Sequence, residues 1–517
     1  MPTITRERLA SATLPHETQD IRVCETHLSY VLLTGDYAYK IKKAVALDFI
    51  DTTSLEHRRQ LCEEELRLNR RYAPDLYLRV VPITQNTGKL HIDGTGEAVE
   101  HAVEMRQFES SEELQALLAS DAVSEADLSA LAECIADFHR RAAVRPAHDD
   151  AATRAFVRKA RENLASVAAR IDTLGGAGEL DRIREWTEDH LSTYSERLVA
   201  RERDGFVREC HGDLHCGNVV RWKGSLLPFD CIEFDPELRF IDVLNDIAFL
   251  AMDLIVRARS DLAYTLLNRY LERTGDYAGV ALLPTYIVYR ALVRVKVELI
   301  AFAQHPEAAD ALERSHAYFR VAGTFVQRRC QPILIIMNGA SGSGKSWLSA
   351  QLVPKIAALR IRSDLERKRL AGTDPFERSA EPDPSIYTLE FNDRTYAHLF
   401  ECARACLEGG LNAIVDAAFL KVNERAEFSA LARSLGAPFL IVSCSADAET
   451  LAARIVARRA TRDDPSDADE RIMRRQLETM EPLTPDERAQ SIQIDTRAVD
   501  AMARVVAKVK SLTAGPT

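Results

Sequence analysis

The first hundred residues carry short runs in which apolar and polar positions alternate, with turn residues between them. These β-type runs lie at 21–25, 30–33, 37–42, 77–83, around 91 and at 102–105. Thr34-Gly35-Asp36 separates the second run from the third, as in a β-hairpin. Leu61 and Leu68 then recur at helical spacing before the fourth run. The pattern predicts a small antiparallel sheet accompanied by one helix.

The next two hundred residues are dominated by helical periodicity. Ser124 lies three residues before Asp127 at the start of an amphipathic stripe, which indicates a capped helix. Further helical patterns cover residues 151–204 and 241–325, and a strand and loop stretch at 206–235 separates them. We therefore expect an α+β region in which a small sheet precedes a mostly helical part.

Beyond residue 328 the pattern changes to β-type runs that alternate with helical segments. The runs lie at 332–337, 359–361, 413–415, 439–443 and 492–494. This alternation is typical of a doubly wound parallel α/β sheet. The sequence thus predicts a multidomain α/β protein with domains at 1–328 and 329–517. The first domain would divide into a small lobe of about residues 1–106 and a helical lobe of about residues 107–328.

Composition and charge narrow the class of protein and its partners. The 517 residues include 67 basic and 78 acidic side chains, a net charge of −11, and 46% are hydrophobic. This composition excludes a disordered chain, and neither nucleic acid nor an anionic membrane is an expected partner of so acidic a protein. The apolar runs are too short to predict a membrane span, and the N-terminus lacks the apolar core of a signal peptide. We expect a cytoplasmic protein whose ten cysteines are reduced.

The segment GASGSGKS, between an apolar run and a helical segment, fits the phosphate-binding loop GxxxxGK[ST]. Its glycines allow backbone N–H groups to point at a phosphate at a helix N-terminus. Lys345 would neutralise the β- and γ-phosphate oxygens, and the Ser346 hydroxyl would bind Mg²⁺. The motif predicts ATP and Mg²⁺ as cofactors. The residues predicted to bind nucleotide are Gly339, Ala340, Ser341, Gly342, Ser343, Gly344, Lys345 and Ser346.

Two carboxylates and an arginine follow the next β-type runs of this half. Asp364 and Arg367 lie one helical turn apart after the second run, and Asp416 ends the third. Asp364 fits either a general base for an acceptor hydroxyl or a remote Mg²⁺ ligand. The base is favoured because Ser346 and Asp416 are placed closer to the metal. Asp416 is predicted as a metal ligand, with a helix N-cap as the alternative, and Arg367 as the residue that holds acceptor or phosphate.

Three arginines, Arg454, Arg458 and Arg459, lie on one predicted helix ahead of a polar loop. A mobile arginine helix of this kind can close over a transferring phosphate, and Arg458 is the predicted nucleotide contact. A solvated basic face is the alternative. Through the segments GASGSGKS, RSDLER and IVDAAF, residues 331–500 resemble small P-loop kinases such as gluconate kinase, zeta-type toxins and the kinase half of polynucleotide kinase.

A second set of chemical groups lies in the segment HGDLHCGN and shortly after it. Asp213 precedes Asn218 by five residues, and Asp230 follows twelve residues later. Phosphoryl transfer in kinase folds needs a base near the acceptor, an amide oxygen on one metal ion and a carboxylate between the metals. These three residues supply those groups in that order, so Asp213 is predicted as catalytic and the other two as metal ligands. The neighbouring Cys and His residues lack a second ligand pair at zinc-finger spacing, and zinc is not expected.

HGDLHCGN and the following FDCIE resemble the aminoglycoside phosphotransferase and choline kinase group of protein-kinase-like folds. The resemblance implies a bilobal fold in which Lys40 of Ala-Tyr-Lys binds phosphates and pairs with a helical glutamate. Glu65 is the predicted glutamate, and Glu64 is the alternative to it. Lys42 is the alternative to Lys40. Met105 would mark the hinge between the lobes. The glycine-rich loop of protein kinases is missing, so a lobe that binds nucleotide but catalyses weakly also remains open.

As a whole, the chain looks like a bacterial fusion of an aminoglycoside phosphotransferase-family domain with a P-loop kinase. The resemblance implies a bifunctional ATP- and Mg²⁺-dependent phosphotransferase that acts on hydroxyl groups of small-molecule acceptors. Two alternatives remain. One is a regulatory protein with a nucleotide sensor and a protein partner, and the other is a nucleic-acid 5′-hydroxyl kinase in the C-terminal half.

Overall fold

The computed structural model describes residues 4–514 except 19, 27, 48–49, 147–148, 306–308, 328–330, 378–383 and 462–469. The chain divides into two compact units, each built from two segments. Unit 1 consists of Met1–Ala155 and Glu202–Asp246, and unit 2 of Phe156–Arg201 and Ile247–Thr517. The predicted domain boundary at residue 328 falls inside unit 2, within an undescribed stretch, and stays a prediction.

A six-stranded antiparallel sheet forms the first part of unit 1. In sheet order its strands are Arg22–Glu25, Ser29–Leu33, Tyr37–Lys42, Ala98–Arg106, Tyr77–Asn86 and Lys89–Ile92. Two short strands, Ala46–Leu47 and Ile50–Asp51, pair with each other. The sheet contains every β-type run predicted for this region. Leu32, Tyr39 and Ile41 are fully buried in its core, which explains why the alternating pattern identified these strands.

One long helix, Leu55–Asn69, accompanies the sheet. Ser54 caps it by accepting a hydrogen bond from the backbone N–H of His57. Leu61, Glu65 and Leu68 lie on its buried face, as their spacing predicted. The helix therefore places one carboxylate, that of Glu65, among apolar core residues.

The rest of unit 1 holds the loop that carries Asp213. Helix Glu125–Arg141 begins with the predicted capping box of Ser124 and Asp127. Four short strands make two antiparallel pairs, Val207–Glu209 with Phe240–Asp242 and Val219–Trp222 with Ser225–Pro228. The remaining helices are Arg6–Ala10, Leu114–Ala119 and Pro236–Arg239, with 3₁₀ turns at Ser110–Glu112 and Cys216–Asn218.

Helices account for most of residues 151–326. They are Ala151–Ala168, Ile171–Leu174, Ala177–Thr193, Ser195–Arg203, Val243–Val256, Ser260–Thr274, Leu283–Gln304 and Ala309–Val326, with a 3₁₀ turn at Tyr277–Leu282. In the described part of the chain one helical stretch, Tyr277–Gln304, is long and apolar enough to cross a membrane. Its most apolar window is 83% buried inside the protein, as in a core helix, so it is weak evidence for a span.

Unit 2 also contains a five-stranded parallel sheet. In sheet order its strands are Ala358–Arg362, Asn412–Asp416, Leu334–Asn338, Phe439–Ser445 and Ser491–Asp495. The strand order reverses at Leu334–Asn338, which is typical of a doubly wound sheet. The helices are Lys345–Ile356, Ser363–Leu370, Leu389–Glu408, Val422–Ser434, Ala448–Thr461, Glu470–Thr479, Pro485–Ala489 and Ala501–Thr513, with a 3₁₀ turn at Pro384–Tyr387. The predicted fold class is confirmed for both halves.

Candidate functional sites

A cleft of about 590 Å³ in unit 1 brings together most of the residues predicted there. Its lining includes Lys40 and Met105 from the sheet and Asp213, Asn218 and Asp230 from the loops. Met105 is buried, with 6% of its surface exposed, one residue before its strand ends. The sequence separation between Lys40 and Asp230 is 190 residues, so only the fold brings them together.

Two lysines and three carboxylates form a buried ion-pair network beside this cleft. Glu65 Oε1 lies 2.8 Å from Lys40 Nζ and its Oε2 lies 2.5 Å from Lys42 Nζ, so the two lysines share one glutamate in ion pairs. Lys40 also contacts Asp230, and Lys42 Nζ lies 2.5 Å from Glu233 Oε1. Glu64, the rival choice for the partner, pairs instead with arginines.

The network favours the charged forms of Lys40, Lys42 and Glu65, whereas burial raises the pKa of Glu233. Burial lowers the pKa of Lys40, but the carboxylates of Asp230 and Glu65 outweigh this effect and leave it well above its usual value. Burial likewise raises the pKa of Glu65, yet the two lysines bring it below its ordinary range. Glu233 was not predicted as a site residue, because nothing in the sequence around it indicates that Lys42 would reach it.

Asp213 and Asn218 are joined directly by hydrogen bonds. The Asn218 Nδ2 amide donates to the backbone oxygen and to Oδ2 of Asp213, both at 3.0 Å. His215 Nδ1 accepts from the Gly217 N–H at 3.0 Å, and its Nε2 lies 3.4 Å from Asp213 Oδ2. The arrangement leaves the Asn218 side-chain oxygen as an acceptor and fixes the direction of the Asp213 carboxylate.

The buried carboxylate of Asp246 braces the loop from the following helix. It accepts from the backbone N–H groups of His211 at 3.0 Å and Gly212 at 2.9 Å, and His139 Nε2 lies 3.1 Å away. Gly212 has φ +87°, and a Cβ there would lie 2.8 Å from the Leu238 carbonyl oxygen. Only glycine fits this turn without strain. The loop geometry is thus fixed before any ligand binds.

Asp230 adopts a left-handed backbone conformation with φ +64°. Its N–H donates to the Tyr77 hydroxyl at 3.1 Å, and the N–H of Cys231 donates to Asn69 Oδ1 at 2.9 Å. A non-glycine residue in this region is strained, and surrounding contacts must hold it. Tyr77 and Asn69 supply those contacts, and sequence reasoning found neither.

A second cavity, of about 310 Å³, lies at the carboxyl edge of the unit 2 sheet. The glycine-rich loop forms one wall, and Gly339, Gly342 and Gly344 all have positive φ. A Cβ would lie 2.4 Å from the Cys444 carbonyl at Gly339 and 2.7 Å from the Leu451 carbonyl at Gly342. The loop therefore requires glycine at these positions, as a phosphate-binding loop does.

Lys345 and Ser346 are the first two residues of the helix that follows the loop, which begins two residues earlier than the predicted start near Trp347. Lys345 Nζ donates to the Ala340 carbonyl at 2.9 Å and so lies across the loop. Asp416 ends its strand and is buried, and its Oδ2 accepts from the Ser349 hydroxyl at 3.0 Å. Ser346 and Asp416 both line the cavity. The structure thus places the two predicted metal ligands of unit 2 at one site.

Asp364 and Arg367 line the same cavity from helix Ser363–Leu370. Arg367 Nη1 donates to the Ile386 carbonyl at 2.7 Å, and its Nη2 donates to Asn392 Oδ1 at 2.8 Å. The Asp364 side chain is half-buried. The helical spacing in the sequence correctly predicted that both would face one crevice.

Sequence reasoning missed Glu424 in this cavity wall. Its carboxylate accepts from the Lys421 N–H at 3.2 Å and from Asn392 Nδ2 at 3.4 Å, and burial raises its pKa. Glu424 completes the capping box of helix Val422–Ser434. Lysine is unusual at a helix N-cap. The common capping signature, Ser or Thr followed three residues later by Glu or Gln, therefore did not identify Glu424 in the sequence.

Of the arginines on the predicted basic helix, Arg454 is the one whose side chain lies within the described residues. Its Nη1 donates to Thr496 Oγ1 at 2.8 Å and to the Gly342 carbonyl at 3.3 Å, next to the phosphate loop. The side chain of Arg458 lies outside the described residues. On the facing helix, Gln476 Oε1 accepts from the backbone N–H of Ser341 at 2.8 Å.

Together these features define a class of protein that joins an antiparallel-sheet unit with a lysine–glutamate pair to a parallel α/β sheet with a phosphate-loop motif. Residues 334–483 match the family model described as AAA domain. Over 444 residues the chain is 32% identical to uncharacterized proteins of Mycobacterium tuberculosis and Mycobacterium bovis, covering 85% of this chain and 86% of theirs. The chain belongs to the same family as these mycobacterial proteins.

Solved structures with similar folds match each half. A gluconokinase from Sinorhizobium meliloti covers 36% of this chain and 95% of its own, with 21% identity and a TM-score of 0.27. An amicoumacin kinase in complex with AMP-PNP, Ca²⁺ and Ami covers 62% of this chain and 92% of its own, with 14% identity and a TM-score of 0.37. Both similarities concern the fold alone.

Proposed function

We propose that this protein is a cytoplasmic, bifunctional ATP- and Mg²⁺-dependent phosphotransferase. Each of its two nucleotide sites would transfer the γ-phosphoryl group to a hydroxyl of a small-molecule acceptor. The observation that carries the proposal is the unit 2 cavity, which joins a glycine-rich phosphate loop to a half-buried carboxylate, Asp364. Phosphate-binding and proton-accepting groups in one cavity are what transfer to a hydroxyl requires.

In unit 2, the backbone N–H groups of the loop and Lys345 would bind the ATP phosphates. The Ser346 hydroxyl and the Asp416 carboxylate would hold Mg²⁺, and hard oxygen ligands of this type suit that ion. Magnesium would neutralise charge on the phosphates that Lys345 does not reach. Arg454, already bonded to the loop, is placed to counter negative charge at its outer side.

Asp364 is the proposed base of unit 2. It would accept the proton of the acceptor hydroxyl while the hydroxyl oxygen bonds to the γ-phosphorus and ADP leaves. Glu424 is a poorer candidate, because both of its oxygens already accept hydrogen bonds from Lys421 and Asn392. Arg367 would present its cation to acceptor or phosphate from the cavity wall.

In unit 1, Lys40 would bind phosphate oxygens while Glu65 keeps it in place. Asn218 and Asp230 fit Mg²⁺, because the Asn218 amide nitrogen is engaged by Asp213 and its oxygen remains as an acceptor. Asp213 would take the acceptor proton. Its orientation depends on Asn218 and His215, which hold its carboxylate.

A phosphorylation screen on the full-length protein tests this function. A pool of hydroxylated metabolites is incubated with ATP carrying a labelled γ-phosphate, using the parent, Lys345→Ala, Asp213→Asn and the double variant. We expect labelled products from the parent, a different subset lost in each single variant, and none from the double variant. Products that persist in the double variant would contradict the proposal.

A further inference from the structure

The edge strand of the unit 2 sheet is covered by residues that precede the predicted domain boundary. Strand Ala358–Arg362 lies at the sheet edge, where it has one strand neighbour. Asn268 Nδ2 donates to the Ala358 carbonyl at 2.8 Å, and its Oδ1 accepts from the Arg360 N–H at 2.6 Å. The Tyr277 hydroxyl donates to the Arg360 carbonyl at 2.8 Å. These side chains satisfy backbone groups that an open edge would leave unpaired.

A buried ion pair lies in the same contact. Glu272 Oε1 accepts from Arg360 Nη2 at 2.5 Å, and both side chains are at least 90% buried. Burial raises the pKa of Glu272, but Arg360 and Arg362 outweigh this effect and bring it below its ordinary value. Glu272 is therefore a carboxylate that neutralises Arg360 inside the protein.

The other end of the Arg360 guanidinium reaches the phosphate loop. Its Nη1 donates to the Ser346 carbonyl at 3.1 Å and lies 3.4 Å from the Ser349 hydroxyl. Ser349 in turn donates to Asp416 Oδ2. One buried guanidinium thus contacts the backbone of one proposed metal ligand and, through Ser349, the carboxylate of the other.

We propose that Glu272 is a positioning residue of the P-loop site, acting through Arg360 on the metal-binding edge. This inference rests on the function proposed above. An arginine keeps its charge at any accessible pH, so without Glu272 an unpaired cation would lie beside a site for Mg²⁺. Glu272 reduces that repulsion and holds the guanidinium against Ser346 and Ser349.

On this proposal, the P-loop site of unit 2 depends on a helix that precedes the predicted domain boundary. Helix Ser260–Thr274 belongs by its sequence pattern to the predicted N-terminal domain, yet its Asn268 pairs with the edge strand and its Glu272 reaches the P-loop through Arg360. A fragment of residues 329–517 would lack both side chains. The phosphotransferase of unit 2 therefore includes residues from well before its phosphate loop.

The test is a Mg²⁺ titration of ATP-analogue binding to the full-length protein, scored as the signal that Lys345→Ala abolishes. Glu272→Gln should raise the Mg²⁺ concentration for half-saturation about fivefold or more, a typical size for coupling between sites. Arg360→Gln and the double variant Glu272→Gln/Arg360→Gln remove the cation and should not raise it. If Glu272 had a purely structural role, the Mg²⁺ concentration for half-saturation would shift in the same direction in all three variants.

Asp374→Asn is the matched control. Asp374 lies 3.7 Å from Arg273 of helix Ser260–Thr274, and the Asp374 side chain is 49% exposed. The Mg²⁺ concentration for half-saturation of Asp374→Asn should equal that of the parent. A parental midpoint in Glu272→Gln, or an equal rise in Arg360→Gln, would overturn the inference. If the parent shows no signal that depends on Lys345, the proposed function itself fails, which is a distinguishable result.

Discussion

At the residue scale, Asp364 has two candidate roles, general base and metal ligand. We expect Asp364→Asn to slow acceptor phosphorylation by unit 2 about 10² to 10⁴-fold, the range of general-base loss, with little change in ATP affinity. Steady-state kinetics and nucleotide titrations at two Mg²⁺ concentrations measure both quantities. Asp393→Asn, an exposed carboxylate just outside the cavity, is the control and should match the parent.

The same experiment can reject the base assignment. If Asp364 were a metal ligand, its replacement would weaken ATP binding and excess Mg²⁺ or Mn²⁺ would partly restore activity. Loss of ATP affinity that depends on metal concentration would therefore contradict the proposed role of Asp364.

In unit 1, two aspartates should separate in kinetics. Asp213→Asn should remove acceptor phosphorylation and leave ATP binding largely intact, because its carboxylate faces Asn218 and His215. Asp230→Asn should weaken binding of Mg²⁺-ATP itself, because Asp230 contacts Lys40. Kinetics and nucleotide titration of each variant decide the matter. Parental turnover by Asp213→Asn on a verified acceptor would show that Asp213 is not the base.

Residues within local motifs could be predicted from the sequence, and residues joined only by tertiary contacts could not. The glycine-rich loop and the Asp213 segment carry their chemistry within eight consecutive residues, so spacing alone revealed them. Glu65 was identified because it shares the apolar stripe of its helix. Glu272 and Arg360 are separated by 88 residues along the chain, and no local pattern connects them.

At the element scale, one buried arginine joins two helices of unit 2. Arg425, fully buried on helix Val422–Ser434, donates from Nε to Glu487 Oε1 at 2.8 Å and from Nη2 to its Oε2 at 3.1 Å. Burial raises the pKa of Glu487, but hydrogen bonds and charge from Arg425 lower it overall. We expect Glu487→Gln to destabilise the protein by about 3 kcal/mol at pH 7, since it leaves a buried charge unpaired.

This loss should depend on pH with a defined sign. Because the folded-state pKa of Glu487 lies below its unfolded value, its stabilisation is fully present above the unfolded pKa and disappears as pH falls through the folded one. Chemical unfolding at pH 7 and at pH 3 should show a difference from the parent that shrinks in acid. Glu427→Gln, an exposed carboxylate on helix Val422–Ser434, is the control. A difference that grows in acid would contradict the assignment.

The three inner parallel strands of unit 2, Asn412–Asp416, Leu334–Asn338 and Phe439–Ser445, were predictable because they are mainly apolar and mostly buried. The strand predicted at 359–361 is observed as Ala358–Arg362, with Arg360 in its middle and Arg362 at its C-terminal end. The predicted run already contains Arg360, but the burial of both arginines could not be predicted, since it requires partners from distant elements. The observed strand therefore extends beyond the run that apolarity alone identifies.

At the scale of the whole molecule, sequence pattern and tertiary packing divide the chain differently. The pattern changes near residue 328, whereas residues 247–326 pack in one compact unit with the P-loop sheet. Hydrophobic periodicity reports which elements form and not which elements they pack against. The predicted boundary remains a hypothesis about independent folding. The Asn268 and Tyr277 contacts suggest that cutting the chain there would expose a sheet edge.

The central claim is that one chain carries two separate nucleotide sites. Calorimetric titration of the full-length protein with a non-hydrolysable ATP analogue and Mg²⁺ measures it directly. We expect two nucleotides per chain in the parent, one in Lys345→Ala, one in Asp230→Asn and none in the double variant. One nucleotide per chain in the parent, or two in either single variant, would contradict the account.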